Sequence, residues 1–315
     1  MAYTFVTLFQ KMNTIDRLTQ YMQEAGEAGR REMSVAIGVS HVMIGRMVQR
    51  LTEEGVLKET GYAPSGGGRP EKRYRYNGAH ACVLLFRMNE EENRGTLELL
   101  DMQGRLLEQQ SARFTHLHAE ILDGWLDALT RRWQRKVRHM ALCVPRAQVI
   151  HELMTHLKQE RGLNVIPLNT AEALADKHPH TLTLLCRQGM PPQAAYRSAA
   201  ELLACNHLHM LPLPDRWETM DYSDHTLTEE MICRLLQSLT CVLSPDSVVL
   251  YCDYLTERLI PRIRYNLSAK LKGMEHMPRL HFRSISAEQL TQALRSAAAQ
   301  MRYNEIWIRK SPFDK

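Results

Sequence analysis

One stretch limits the fold of this chain more than any other: Pro64-Ser65-Gly66-Gly67-Gly68-Arg69-Pro70. Proline lacks an amide hydrogen and glycine loses the most backbone entropy on ordering, so neither a helix interior nor a central strand tolerates such a run. It marks an exposed loop. The sequence before it reads as mostly helical, and the sequence after Ala79 alternates strand-like and helix-like stretches. The chain is therefore expected to divide near residues 78–80, into units 1–78 and 79–315. A length of 315 residues suits two such domains. No internal sequence repeat is apparent.

Within the first unit, Ile15, Leu18, Tyr21 and Met22 recur at helical spacing behind the capping pair Asn13-Thr14. A shorter helix is expected over 30–37, followed by Gly38-Val39-Ser40. Ile44, Met47, Val48 and Leu51 then mark the apolar face of a third helix. Glycine at the turn supplies a left-handed backbone conformation, and Ser40 is placed to cap that third helix. Val56-Leu57-Lys58 and Tyr74-Arg75-Tyr76 read as two strands joined by the glycine-rich loop. The pattern is a winged helix-turn-helix.

An α-helix fits the major groove of DNA, with its first turns against base edges. The outer face of the third helix carries His41, Val42, Met43, Gly45, Arg46, Gln49 and Arg50 behind its cap Ser40. Arg46 and Gln49 suit base readout, Val42 and Met43 suit thymine methyl groups, and Arg50 suits a phosphate. In the wing, Arg69, Lys72 and Arg73 flank glycines that permit close approach, and Arg69 suits a narrow minor groove. The expected partner is a double-stranded DNA operator bound by a homodimer that engages two half-sites. The net charge of +5 is too modest to decide this alone.

Composition narrows the rest. No apolar run approaches the ~20 residues needed to span a bilayer, so no membrane partner is expected. The first residues lack a basic segment followed by an apolar one, which argues against a secretory signal. Seven scattered cysteines, mostly in apolar segments, read as reduced thiols of a cytoplasmic protein. His207 and His209 supply at most half a metal site, and no Ser/His/Asp or Cys/His set has a recognisable spacing. Neither a metal nor a cofactor is expected.

In the second unit, strands are expected over 81–88, 95–100, 105–108, 137–144, 163–168, 247–252 and 279–283. Helices are expected over 119–134, 149–160, 226–242, 254–271 and 287–301, with Thr226-Leu227-Thr228-Glu229 as a capping box.

Several of these residues carry a likeness to a known family. Arg31-Glu32, Gly38-Val39-Ser40, Gly55-Val56-Leu57-Lys58-Glu59, the Ser65–Pro70 wing and Tyr76-Asn77 resemble the N-terminal domain of repressors of the ROK family (repressor, open reading frame, kinase). Asp101…Gly104, Pro145, Leu163–Pro167 and Leu243–Leu250 resemble, in pattern more than identity, its sugar-kinase-like domain. The resemblance implies an α/β chain in which a winged helix-turn-helix precedes a degenerate, two-lobed, actin-like domain. It implies a transcriptional repressor of carbohydrate-related genes.

Phosphoryl transfer makes demands that this sequence does not meet. A phosphate cradle needs glycine amides and a carboxylate near the first hairpin, yet Arg87-Met88-Asn89-Glu90-Glu91 has no glycine. Where the family carries its general base, Asn169 stands, and an amide does not abstract a proton. The second cradle would fall at Arg187-Gln188-Gly189-Met190-Pro191-Pro192, where two prolines remove amide donors. Against the family's sugar pocket, Asn206 replaces an acid and His209 takes the histidine position. The domain is therefore expected to be catalytically inactive and to serve dimerisation and effector sensing. Asn169, Asn206 and His209 are the candidate contacts to a sugar, phosphosugar or protein effector. The alternatives are a sugar kinase or related ATPase with a regulatory head, and a module that senses a protein.

Overall fold

The computed structural model describes residues 13–62, 70–89, 92–114, 119–132, 137–144, 147–187, 192–199, 202–205, 224–273 and 277–301. It opens with α1 (Thr14–Ala25), β1 (Glu27–Gly29), α2 (Arg30–Ile37) and α3 (His41–Glu53), then β2 (Leu57–Tyr62) and β3 (Lys72–Tyr76). Asn13 starts α1 as expected, its Oδ1 accepting the Asp16 amide at 2.9 Å. The apolar stripes meet in one core: Leu18 and Met22 from α1, Met33 and Ile37 from α2, and Ile44, Met47, Val48 and Leu51 from α3. The strand β1 was not expected; it pairs antiparallel with β3 and makes a three-stranded sheet of order β1-β3-β2. Three residues, Glu27-Ala28-Gly29, are too few to show an alternating pattern.

Gly38 turns the chain between α2 and α3 at φ +74, in the left-handed region. A Cβ there would meet nothing within 4 Å, so only the backbone conformation favours glycine. Gly38→Ala is expected to destabilise by about 1 kcal/mol in urea unfolding. A loss near zero would mean that the turn relaxes to another conformation.

A short 3-10 turn (Gly78–His80) leads into the first lobe. Its elements are β4 (Cys82–Asn89), β5 (Arg94–Asp101), β6 (Leu106–Arg113), α4 (Ala119–Arg132), β7 (Val137–Cys143), α5 (Ala147–Arg161) and β8 (Val165–Pro167). They form a sheet of order β6-β5-β4-β7-β8, with β4, β5 and β6 antiparallel and β4, β7 and β8 parallel. After α6 (Thr170–Ala173), the second lobe repeats that order. It runs β9 (Thr181–Cys186), β10 (Gln193–Arg197), β11 (Leu202–Cys205), α7 (His225–Leu243), β12 (Ser247–Cys252), α8 (Leu259–Lys270) and β13 (Arg279–Arg283). Its sheet is β11-β10-β9-β12-β13. The chain thus duplicates a topology without a visible sequence repeat.

The strands β9 to β11 and the helix α6 escaped sequence reading. β9 is buried along its whole length, so it lacks the period-2 signal of a half-exposed strand. Another correction concerns α7. Asp224, not Thr226, is its cap, accepting the amides of Thr226 and Leu227. Glu229 is instead buried, paired with Arg262 at 2.7 Å.

The final helix, α9 (Ala287–Gln300), returns from the second lobe to the first. One face of the first sheet (Cys82, Leu84, Phe86) is covered by Leu122, Leu126 and Leu129 of α4 and by Leu153 and Leu157 of α5. The opposite face (Val83, Leu85, Leu100, Ala141) belongs to the same core as Leu294 and Ala298 of α9 and the apolar residues of α1–α3. Gln23 of α1 spans the junction, donating to the Tyr76 hydroxyl at 2.9 Å and the Met102 carbonyl at 3.3 Å.

Candidate functional site

The outward side of α3 exposes His41, Val42, Met43, Arg46, Gln49 and Arg50 together. Ser40 holds the helix start, its Oγ accepting the Met43 amide at 3.3 Å. Val42 and Met43 are 69% and 45% exposed, large apolar side chains with no place in the core. Val35 on α2, 80% exposed, adds a third that sequence reading missed. Gln49 donates to Glu53 at 3.0 Å and Arg50 pairs with Glu54 at 2.9 Å. Both are exposed contacts within one helix and cost little to break. Arg46 forms no hydrogen bond or ion pair among the described residues.

Gly45 differs from expectation. It is half-buried, and a Cβ there would stand 3.8 Å from Nη1 of Arg30. Arg30 lies over the Tyr74 ring, 5.5 Å from its centroid, and donates to the Tyr74 hydroxyl at 2.9 Å. Gly45 therefore faces α2 rather than outward.

The base of the expected wing is laced with ion pairs. Lys72 bonds Glu59 at 3.0 Å, and that bond raises its pKa. Arg73 donates to Glu32 at 2.8 Å and reaches Glu27 at 3.5 Å, while Arg75 pairs with Glu27 at 2.9 Å. The Gly29 amide, and then Arg73, hold the Glu32 carboxyl below its usual range despite partial burial. Glu71 accepts the Arg31 amide at 2.7 Å. Lys72 and Arg73 thus already have carboxylate partners, which sequence reading missed. Arg69 lies outside the described residues.

Between the lobes, Asn169 is buried and caps α6, its Oδ1 accepting the Ala171 amide at 2.8 Å. The Thr170 amide donates to Gln193 of the second lobe at 2.9 Å, and its hydroxyl lies 3.4 Å from Cys143 Sγ. Asn206 and His209 lie outside the described residues. Arg87, at the end of β4, turns back to Glu98 at 3.0 Å. The described residues include no group of three or more side chains able to hold a metal ion. Burial pushes the thiols of Cys143 and Cys186 up, those of Cys233 and Cys252 to about 11 and about 12, so none is a ready nucleophile.

Glu172 of α6 is set apart by its ionisation. Burial pushes its carboxyl up to about 7, against a lowering bond from the Asn169 amide. A carboxyl raised on folding stabilises fully below its unfolded value, and that contribution is lost as pH rises through the folded value. Glu172→Gln keeps the cap bond and removes the ionisation. It is expected to stabilise the protein at pH 8 relative to pH 4.5 by about 2 kcal/mol more than the parent, read from urea unfolding at both pH values. Parallel pH profiles for the two proteins would contradict this.

No family model matches the chain, and no curated protein matches it. Solved structures do. A ROK-family transcriptional regulator, a homologue of the E. coli MLC protein, superposes with a TM-score of 0.62 at 12% identity. That match covers 91% of this chain and 96% of the regulator. The ROK hexokinase of Thermus thermophilus gives a TM-score of 0.50 at 15% identity, over 69% of this chain and 97% of the hexokinase. The mixed α/β lobes therefore have the fold of these two ROK-family proteins, one a transcriptional regulator and the other a hexokinase. Among the described residues, no helix is long and apolar enough to cross a membrane.

Proposed function

We propose that this chain is a sequence-specific DNA-binding transcriptional regulator, acting as a repressor of carbohydrate-related genes. In this reading α2, the Gly38 turn and α3 work as a helix-turn-helix, and β2 and β3 carry the wing. The observation that carries it is the exposed face of α3, where Arg46 stands without a partner among the described residues beside exposed Val42 and Met43. A structural match over 91% of the chain to a transcriptional regulator adds support, since the two lobes alone make up a smaller share. The lobes serve to dimerise the protein and to sense an effector, without phosphoryl transfer. Arg87 held by Glu98 puts a cation where a kinase needs glycine amides and a metal-binding carboxylate.

The test is binding of the purified protein to DNA upstream of its own gene and its neighbours, with and without candidate sugars and phosphosugars. Site-specific binding that weakens steeply with salt is expected. Binding with no preference among DNA fragments counts against the reading. The likeness to a hexokinase favours a second reading, a sugar kinase with a regulatory head. ATP-dependent phosphorylation of any hexose by the full chain would establish it.

A further inference from the structure

The chain crosses from the first lobe to the second through α6 and residues 174–180, and returns through residues 284–286 into α9. A groove of about 500 Å³ opens beside the first of these crossings, lined from one side by Asp176 and His178 and from the other by β13. Arg279, His281 and Arg283 alternate along β13, so they share one face of the sheet. Register fixes what lies beside them: Ser247 next to Arg279, Val249 next to His281, and Tyr251 next to Arg283. Alternate residues on a strand stand roughly 6.6 Å apart, so two guanidinium stems flank an imidazole over about 13 Å. The opposite face of these strands is filled: Leu182, Leu184, Val248 and Leu250 lie in the core with α7 and α8, and Leu280 and Phe282 pack against it.

The groove's charges are underused. Arg283 reaches Asp176 only at 3.8 Å and the Tyr251 hydroxyl only at 3.5 Å. Arg279 and Asp246 form no ion pair among the described residues, although the Arg279 amide donates to the Asp246 carbonyl at 3.0 Å. Two guanidinium groups with spare donors call for an oxyanion. Two carboxylates in the same groove call for hydroxyl or amine donors, and they disfavour a bare anion. Thr181 and Ser247, bonded to each other at 3.0 Å, add hydroxyls at the groove's edge.

We infer that this groove is a binding site for a small hydroxylated phosphate monoester, whose phosphate meets Arg279 and Arg283 and whose hydroxyls donate to Asp176 and Asp246. Such a ligand contacts the first crossing, at Asp176, and the edge strand β13 at once. Its binding therefore ties the segment at Asp176, which leads into β9, to Arg283 of β13 and orders that end of the second lobe. The site is separate from Asn169 at the end of β8, which does not line it. It does not depend on whether the N-terminal unit binds DNA.

Calorimetric titration of the full chain with glycerol phosphate, inorganic phosphate and glycerol tests the assignment. Saturable binding of glycerol phosphate, weaker binding of inorganic phosphate and none of glycerol are expected. Arg279→Gln and Arg283→Gln should each weaken glycerol phosphate by about tenfold or more, whereas Arg46→Ala should leave it unchanged. Hydrogen exchange on the unsubstituted protein supplies a second readout that does not depend on the variants folding. Amides within 174–180 and 279–286 should gain protection when glycerol phosphate is added. No saturable binding, equal affinity for inorganic phosphate, binding that survives both arginine substitutions, or unchanged exchange in those segments would each overturn the inference.

Discussion

Replacing Glu98 by alanine is expected to destabilise the protein by about 3–5 kcal/mol, the cost of stranding the partners of a buried charge. The carboxylate is fully buried on β5. Arg295 of α9 donates to it twice, at 2.8 and 2.9 Å, and Arg87 of β4 donates at 3.0 Å. Without Glu98, two guanidinium groups face each other across a sheet with no counter-charge. The pH dependence has a definite sign. Burial pushes the Glu98 carboxyl up, but the bonds from Arg295 and the charge of Arg87 outweigh it and hold the carboxyl below its ordinary range. Its stabilisation is therefore complete above that range and is lost as pH falls through the depressed folded value. Urea unfolding at pH 7 measures the first effect, and an acid titration of stability measures the second. A loss under about 1 kcal/mol would mean that the two arginines find water at little cost.

The second large effect concerns DNA. Arg46→Ala should weaken operator binding by about 1–3 kcal/mol, roughly 5- to 150-fold, if its guanidinium pairs with a base edge. The same substitution should change folding stability by less than about 0.5 kcal/mol, because the side chain is exposed. On the same proposed reading, Arg69→Ala should also reduce affinity. Lys72 and Arg73 are different, since each must leave a carboxylate before it meets a phosphate. Fluorescence anisotropy on the identified operator at fixed salt reads both variants. Full binding by both Arg46→Ala and Arg69→Ala would discard the assigned recognition helix and wing.

How much of this was legible beforehand depended on local signals. The helices α1 to α3 have one-sided apolar stripes, and caps at Asn13 and Ser40 mark where α1 and α3 start, while α2 could be bounded at both ends. β12 and β13 were equally legible, being short runs between turn residues. The strands β9 to β11 were not, because a strand buried on both faces or only four residues long carries no alternation. The outer face of α3 could be read from helical periodicity, except at Gly45, whose neighbour Arg30 comes from another helix. The carboxylate partners of Lys72 and Arg73 depend on pairing between β1, β2 and β3, which no local pattern encodes. Asn169 stands out in the sequence only as a candidate effector contact, and the cap its side-chain oxygen makes on the short helix after it carries no local signal. A four-residue helix gives too little sequence to announce a cap.

The shared core beneath α1–α3 bears on modularity. The N-terminal unit is not a cartridge hung on a tether, because its apolar side chains and those of the first lobe and α9 make one cluster. The Met102 amide donates to the Gly78 carbonyl at 2.9 Å, and Gln23 closes the same seam from α1. Cutting the chain at that seam would leave apolar surface on both fragments, so neither half is a natural unit for exchange. A swapped head would need its own matching seam, and sequence drift at Gln23, Met102 or Leu294 would be constrained by all three bodies at once.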